Sequence, residues 1–136
     1  MRTVEPWALK FAEEWIAAWN SHDLDRILAH YADDLEISSP LIVERMNEPS
    51  GTLRGKAAVR PYWAKGLEAK PPLRFELLAV HVGVNRLGLA YRSVGRRFVL
   101  EILTLDDARR ITHVVATYGD SDAEGFGRSV VASTSR

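Results

Sequence analysis

The sequence predicts an α+β fold in which helices gather on one face of a curved antiparallel sheet. Apolar residues recur at helical spacing as far as Leu67, and four β-patterned segments follow between Leu73 and Gly119. Only short, hairpin-like breaks separate those segments. A length of 136 residues suits one domain with one core, and 46% hydrophobic with 26% charged residues is the balance of a globular chain.

Trp7, Phe11, Trp15 and Ala18 place an amphipathic helix over about Pro6 to Asn20, with Lys10, Glu13 and Glu14 on its other faces. Asp23 is positioned to cap a second, short helix in which Leu24, Ile27, Leu28 and Tyr31 follow the helical period. Leu35 and Ile37 then alternate with Glu36 and Ser38, a brief strand that ends at Pro40, which has no N–H to give a ladder. The stretch LIVERMNEPSGTLR reads as a long loop of the kind used for pocket rims and lids. Gly55 opens a third helical block in which Val59, Tyr62, Trp63 and Leu67 share a face. Pro61 cannot donate to the Ala57 carbonyl, so this helix either kinks there or starts only a residue or two earlier. From Leu73 the segments LRFELLAVHVGV, RLGLAYRSV, RRFVLEILTL and RITHVVATYG form a meander, broken at Asn85-Arg86, at Gly95 and at DDAR. Residues 1–119 make the single domain, and 120–136, rich in Gly, Ser and Asp, are expected to form a flexible tail.

Eighteen basic residues balance eighteen acidic ones, so no global field gathers nucleic acid or an anionic membrane, and neither is expected as a partner. With no cysteine there is no disulfide, thiolate metal site or cysteine nucleophile. The N-terminus is charged every few residues and lacks an apolar run, so a cytoplasmic location is expected. Phosphate-cradling glycine motifs and metal-binding histidine spacings are missing, so neither a cofactor nor a metal is expected.

AWNSHDLDRILAHYADDLEISSP, SGTLRGKAAVRPYW, LRFELL and EILTLDDARRITHVVATYG together resemble the SnoaL-like polyketide cyclase group of the nuclear transport factor 2-like superfamily, which also holds ketosteroid isomerases. The resemblance spans about residues 7 to 119. It implies a cone-shaped, cystatin-like α+β roll, its sheet wrapped around three N-terminal helices, with an apolar pocket at the wide end. It also implies a homodimer through the outer face of the sheet. The superfamily includes isomerases, dehydratases, epoxide hydrolases, cyclases and members that only bind, so activity has to be argued from the residues.

Ser39 stands where the ketosteroid isomerase pattern puts its carboxylate base, and a hydroxyl lacks useful basicity near neutrality. Trp15 occupies the place of the donor tyrosine; Tyr31 and Trp63 match pocket aromatics. Glu101 falls at the position of the protonated aspartate. It is also the lone ionisable group in FVLEILTL, where strand parity with Val99, Leu103 and Leu105 favours the inward face. There burial would raise its pKa toward neutrality; facing outward it would meet water or Arg92. His81 shares strand parity with Phe75, Leu77 and Ala79, which places it either on the pocket or as a hydrogen-bonded core histidine. Tyr118 inward puts His113 outward, and His22 and His30 read as solvated. The predicted site is therefore Glu101 as proton shuttle, with Trp15, Trp19, Tyr31, Ser39, Trp63, His81, Val99, Leu103 and Tyr118 around a small apolar ligand. The chemistry expected is proton transfer beside a carbonyl, and the alternative is a non-catalytic binding or dimerisation module.

Overall fold

A computed structural model describes residues 5–119; the predicted tail at 120–136 lies outside them. Helix α1 (Pro6–Ser21) and the short α2 (Leu24–Leu28) lead into β1 (Tyr31–Ser38), α3 (Pro40–Met46), β2 (Thr52–Arg54) and α4 (Lys56–Leu67). The meander follows as β3 (Glu76–Gly83), β4 (Arg86–Ser93), β5 (Arg97–Leu105) and β6 (Ile111–Tyr118). All six strands form one curved, unclosed sheet in the order β2-β1-β6-β5-β4-β3, antiparallel except where β1 runs parallel to β6. None of the described helices is long and apolar enough to cross a membrane.

Local chemistry accounts for most boundaries. Pro6 begins α1, where a missing N–H costs nothing, and His22 closes it in the left-handed region at φ 61°. The Asp23 carboxylate accepts from the Arg26 N–H at 3.2 Å and caps α2. Asn85 and Gly95, at φ 56° and 75°, turn the chain between the strands of the meander. Asp106 collects the N–H groups of Ala108 and Arg110, both at 2.9 Å, and closes the last hairpin.

Two elements differ from the sequence reading, and a third takes one of the two alternatives it left open. Tyr31 is the first residue of β1 and not the end of α2: the Ile111 N–H donates to the His30 carbonyl at 2.9 Å and Tyr31 pairs with Ile111. Pairing with a strand 80 positions away overrides the local helical period, which puts Tyr31 inward in either state. The stretch read as a loop after Pro40 contains α3 and β2. Ser39 caps α3 by accepting from the Leu41 N–H at 3.1 Å, Pro40 fills the first helical position, and Asn47 ends the helix at φ 52°. Finally, α4 starts at Lys56 and runs through Pro61, so the proline lies in its interior.

The inner face of the sheet packs on α1 and α4 through an aromatic cluster. Trp15 stacks on Phe75 with centroids 5.9 Å apart and contacts Tyr91 at 5.5 Å and Trp19 at 6.0 Å. Its indole N–H donates to the Tyr31 hydroxyl at 2.9 Å, both side chains being buried. Tyr31 in turn lies 4.7 Å from Trp63 of α4. Removing either partner leaves the other's polar atom buried without its mate, at a cost of about 1–3 kcal/mol beyond lost packing. Urea unfolding of Trp15→Phe, Tyr31→Phe and the double variant is expected to show about 1 kcal/mol of coupling, the double costing less than the sum; strict additivity would mean that the bond contributes nothing.

Candidate functional site

Inward-facing strand positions and the helix ends enclose a cavity of about 240 Å³. Tyr91 of β4, Val99 and Glu101 of β5, and Val114, Ala116 and Tyr118 of β6 form its sheet wall. Trp19 of α1, Leu41 and Arg45 of α3, and Tyr62, Trp63 and Gly66 of α4 face them. Tyr91, Val99 and Tyr118 lie in one cross-strand row, and Leu89, Glu101 and Ala116 in another. Ala116 beside Glu101 leaves the carboxyl room to face the cavity.

Glu101 is the buried charged residue among those described, 9% exposed. Its Oε2 accepts a hydrogen bond from the Tyr91 hydroxyl. Burial pushes the Glu101 pKa up to about 7, the Tyr91 bond only partly opposing it. The Tyr91 hydroxyl is held well above the usual tyrosine range by its own burial and then by the Glu101 charge, so it remains a donor. Arg92, the outward alternative for Glu101, instead pairs with Glu76 at 3.3 Å. Proton exchange with a ligand therefore centres on one carboxyl, held by one phenol, in an apolar wall.

Hydroxyls gather elsewhere on the lining. Ser39 Oγ and the Tyr118 hydroxyl are 3.2 Å apart, and the Arg97 guanidinium lies 5.4 Å from the Tyr118 ring centroid. Burial pushes the Tyr118 pKa up to about 12 and raises that of Tyr62, where the Ser39 hydroxyl and the Arg45 charge work against it. The indole N–H of Trp19, beside the cavity, is buried without a well-formed hydrogen bond.

The cavity brings together Glu101, Trp19, Ser39, Trp63, Val99 and Tyr118. Trp15, Tyr31 and Leu103 do not line it. They are almost fully buried behind it, with Trp15 and Tyr31 bonded to each other, so their assignment to ligand contact is corrected to core. His81 is corrected as well: it faces outward and is exposed. Leu77 pairs with Tyr91 but Ala79 with Ala90, so Leu78 bulges and reverses the parity of the rest of β3. Val80 takes the inner face in place of His81. His113 is also exposed and bonded to Thr112 at 3.0 Å. Among the described residues no three side chains group as metal ligands.

Sequence reasoning overlooked Tyr91, the partner of Glu101. The signal was present, because Leu87, Leu89 and Tyr91 alternate cleanly, but the diagonal from Tyr91 to Glu101 requires the register of the β4-β5 hairpin. Arg45 was hidden in the segment read as a loop, and Arg97 lies just after the break at Gly95.

A curved sheet holding helices against one face is the nuclear transport factor 2-like, cystatin-like class of α+β fold. Within that class the chain belongs to the SnoaL-like domain family, whose model matches residues 12–125. A SnoaL-like protein of unknown function from Burkholderia thailandensis is 44% identical, the match covering 86% of this chain and 98% of that one, with a TM-score of 0.82. An NTF-2-like protein of unknown function from Burkholderia xenovorans shares the fold at 14% identity, covering 94% and 92% of the two chains, with a TM-score of 0.64. So does the epoxide hydrolase/cyclase-like enzyme SalBIII, which acts in pyran ring formation in the polyether salinomycin: 18% identity, 85% and 93% coverage, TM-score 0.67. No curated protein matches the chain.

The raised Glu101 pKa makes stability depend on pH with a definite sign. Between 4.5, its ordinary value, and about 7, the folded state binds more protons than the unfolded one, so Glu101 costs stability as pH rises through that window. Glu101→Gln removes the titration. Urea unfolding at pH 4.5 and pH 8 is expected to show the variant gaining about 3 kcal/mol on the wild type over the interval; an unchanged difference would mean that the carboxyl is solvated.

Proposed function

We propose that this SnoaL-like protein binds a small apolar, carbonyl-bearing molecule in the cavity and transfers a proton on it, with Glu101 as the shuttle. The observation that supports this is a buried carboxyl on the cavity wall whose side-chain partner is a phenol and not a cation. A group with a pKa near 7 is present in both protonation states at neutrality, so it can take a proton from a carbon beside a carbonyl and return it elsewhere. Tyr91 stays protonated throughout and steadies the carboxylate. The apolar walls strengthen each electrostatic contact with the reacting oxygen. Carbon–carbon cyclisation, isomerisation and dehydration beside a carbonyl all begin with such a step. At about 240 Å³ the cavity lies just below the usual span of ligand sites, about 300–1,000 Å³, which favours one or two rings over a larger skeleton.

One observation favours a second reading, binding without turnover: Ser39, at the position of the isomerase base, is engaged in capping α3 and in contact with Tyr118. Solvent deuterium exchange into the α-carbon of tetralone separates the two. Glu101→Gln is expected to slow exchange by about 10²–10⁴-fold with tetralone affinity retained. The wild-type rate constant should rise with pH through about 7 if the carboxylate accepts the proton. Equal exchange in both proteins would remove Glu101 from the chemistry.

We further propose a homodimer through the outer face of the sheet. Leu100 and Val115 are 41% and 47% exposed there, and Ile102 lies between Gly88 and Val115 in one cross-strand row. Absence of cysteine supports a cytoplasmic setting. Light scattering at micromolar concentration should give twice the chain mass, and Leu100→Asp should halve it; a wild-type monomer would defeat this interface.

A further inference from the structure

The cavity has a second polar end that the proton-transfer step does not use. Arg45 of α3 and Arg97 at the start of β5 both line it and are exposed, so they stand at its opening while Glu101 is buried. Five of the described arginines meet carboxylates, among them Arg26 with Glu14, Arg60 with Asp25 and Arg92 with Glu76, while Arg86 donates to the Val84 carbonyl and Arg109 lies over the Trp7 ring, neither of them at the cavity. Among the described residues neither Arg45 nor Arg97 has such a partner within 4.0 Å, although Arg97 lies over the Tyr118 ring. Guanidinium groups do not deprotonate, so two permanent positive charges border an apolar cavity with no counter-charge of their own at the opening.

We propose that the ligand is an apolar organic acid whose carboxylate is held at the opening by Arg45 and Arg97, its body directed toward Glu101. This rests on the reading of the cavity as a ligand site. Planar guanidinium groups match the two oxygens of a carboxylate. The hydroxyls of Ser39 and Tyr118, 3.2 Å apart on the same lining, bond each other and leave one proton of the pair to give to a ligand. The reversed pose would bring the carboxylate against Glu101, so repulsion at one end and attraction at the other select a single orientation. Two guanidinium charges also match a phosphate monoester, which makes naphthyl phosphate the competing ligand of the test.

Calorimetric titration with naphthoate, methyl naphthoate and naphthyl phosphate tests the assignment. Naphthoate is expected to bind the wild type about ten-fold more tightly than its ester. In the Arg45→Gln/Arg97→Gln double variant that preference should vanish with ester affinity unchanged, and added salt should weaken the acid alone. Acid and ester binding equally to the wild type would overturn the proposal whatever the variant does. So would a preference that survives in the variant, or tighter binding of naphthyl phosphate. In each of those cases ester binding leaves the cavity's proposed role standing; no binding of any of the three defeats both.

Discussion

Trp15 is the contact through which the helical layer and the sheet determine each other. From one position on α1 its ring reaches Phe75 before β3 and Tyr91 on β4, and its N–H reaches Tyr31 on β1. A flat side chain with one donor suits the task, since it satisfies a buried hydroxyl without introducing charge. The same contacts limit where Tyr91 can sit, with Phe75 4.3 Å from it on another side. Tyr91 in turn holds Glu101. The placement of the acid is thus inherited from the packing of the first helix, and the site begins with an interaction that never touches the cavity.

That inheritance explains why the two polar ends of the cavity behave differently. At the buried end desolvation dominates, and one phenolic bond does not restore the carboxyl to its ordinary value. At the opening the groups are hydroxyls and guanidinium groups that keep their protons throughout the physiological range. One end changes charge near neutrality and the other does not. A molecule lying between them would meet a fixed field on one side and a titrating group on the other.

The sequence made the inner face of β5 legible because that strand is regular: Val99, Glu101, Leu103 and Leu105 keep parity, and all are buried. The meander and its turns were readable for the same reason, as Asn85 and Gly95 occupy positions that require positive φ. Where reading failed, a distant partner or a local irregularity had intervened. Tyr31 obeys the helical period but is claimed by β6. The Ser-Pro pair that starts α3 is a recognised helix signal, overlooked because the mixed residues after it resemble a rim loop. Trp15 and Tyr31 are expected at the pocket, yet they bond to each other, and no spacing rule distinguishes an aromatic residue that lines a cavity from one just behind it.

The bulge at Leu78 has a wider consequence. Leu77 is fixed opposite Tyr91 and Gly83 opposite Arg86, and between those two pairs β3 has one residue more than β4. The surplus must go somewhere, and where it goes decides the phase of the strand. One residue inserted into the facing part of β4 would absorb it and bring the His81 imidazole to the inner face, at the cost of a new irregularity where Leu87 and Leu89 pair with β5. Chemical repertoire in a hairpin of this kind is therefore a matter of counting as much as of composition. Length changes, and not only substitutions, are a route by which such a protein acquires a new acid or base.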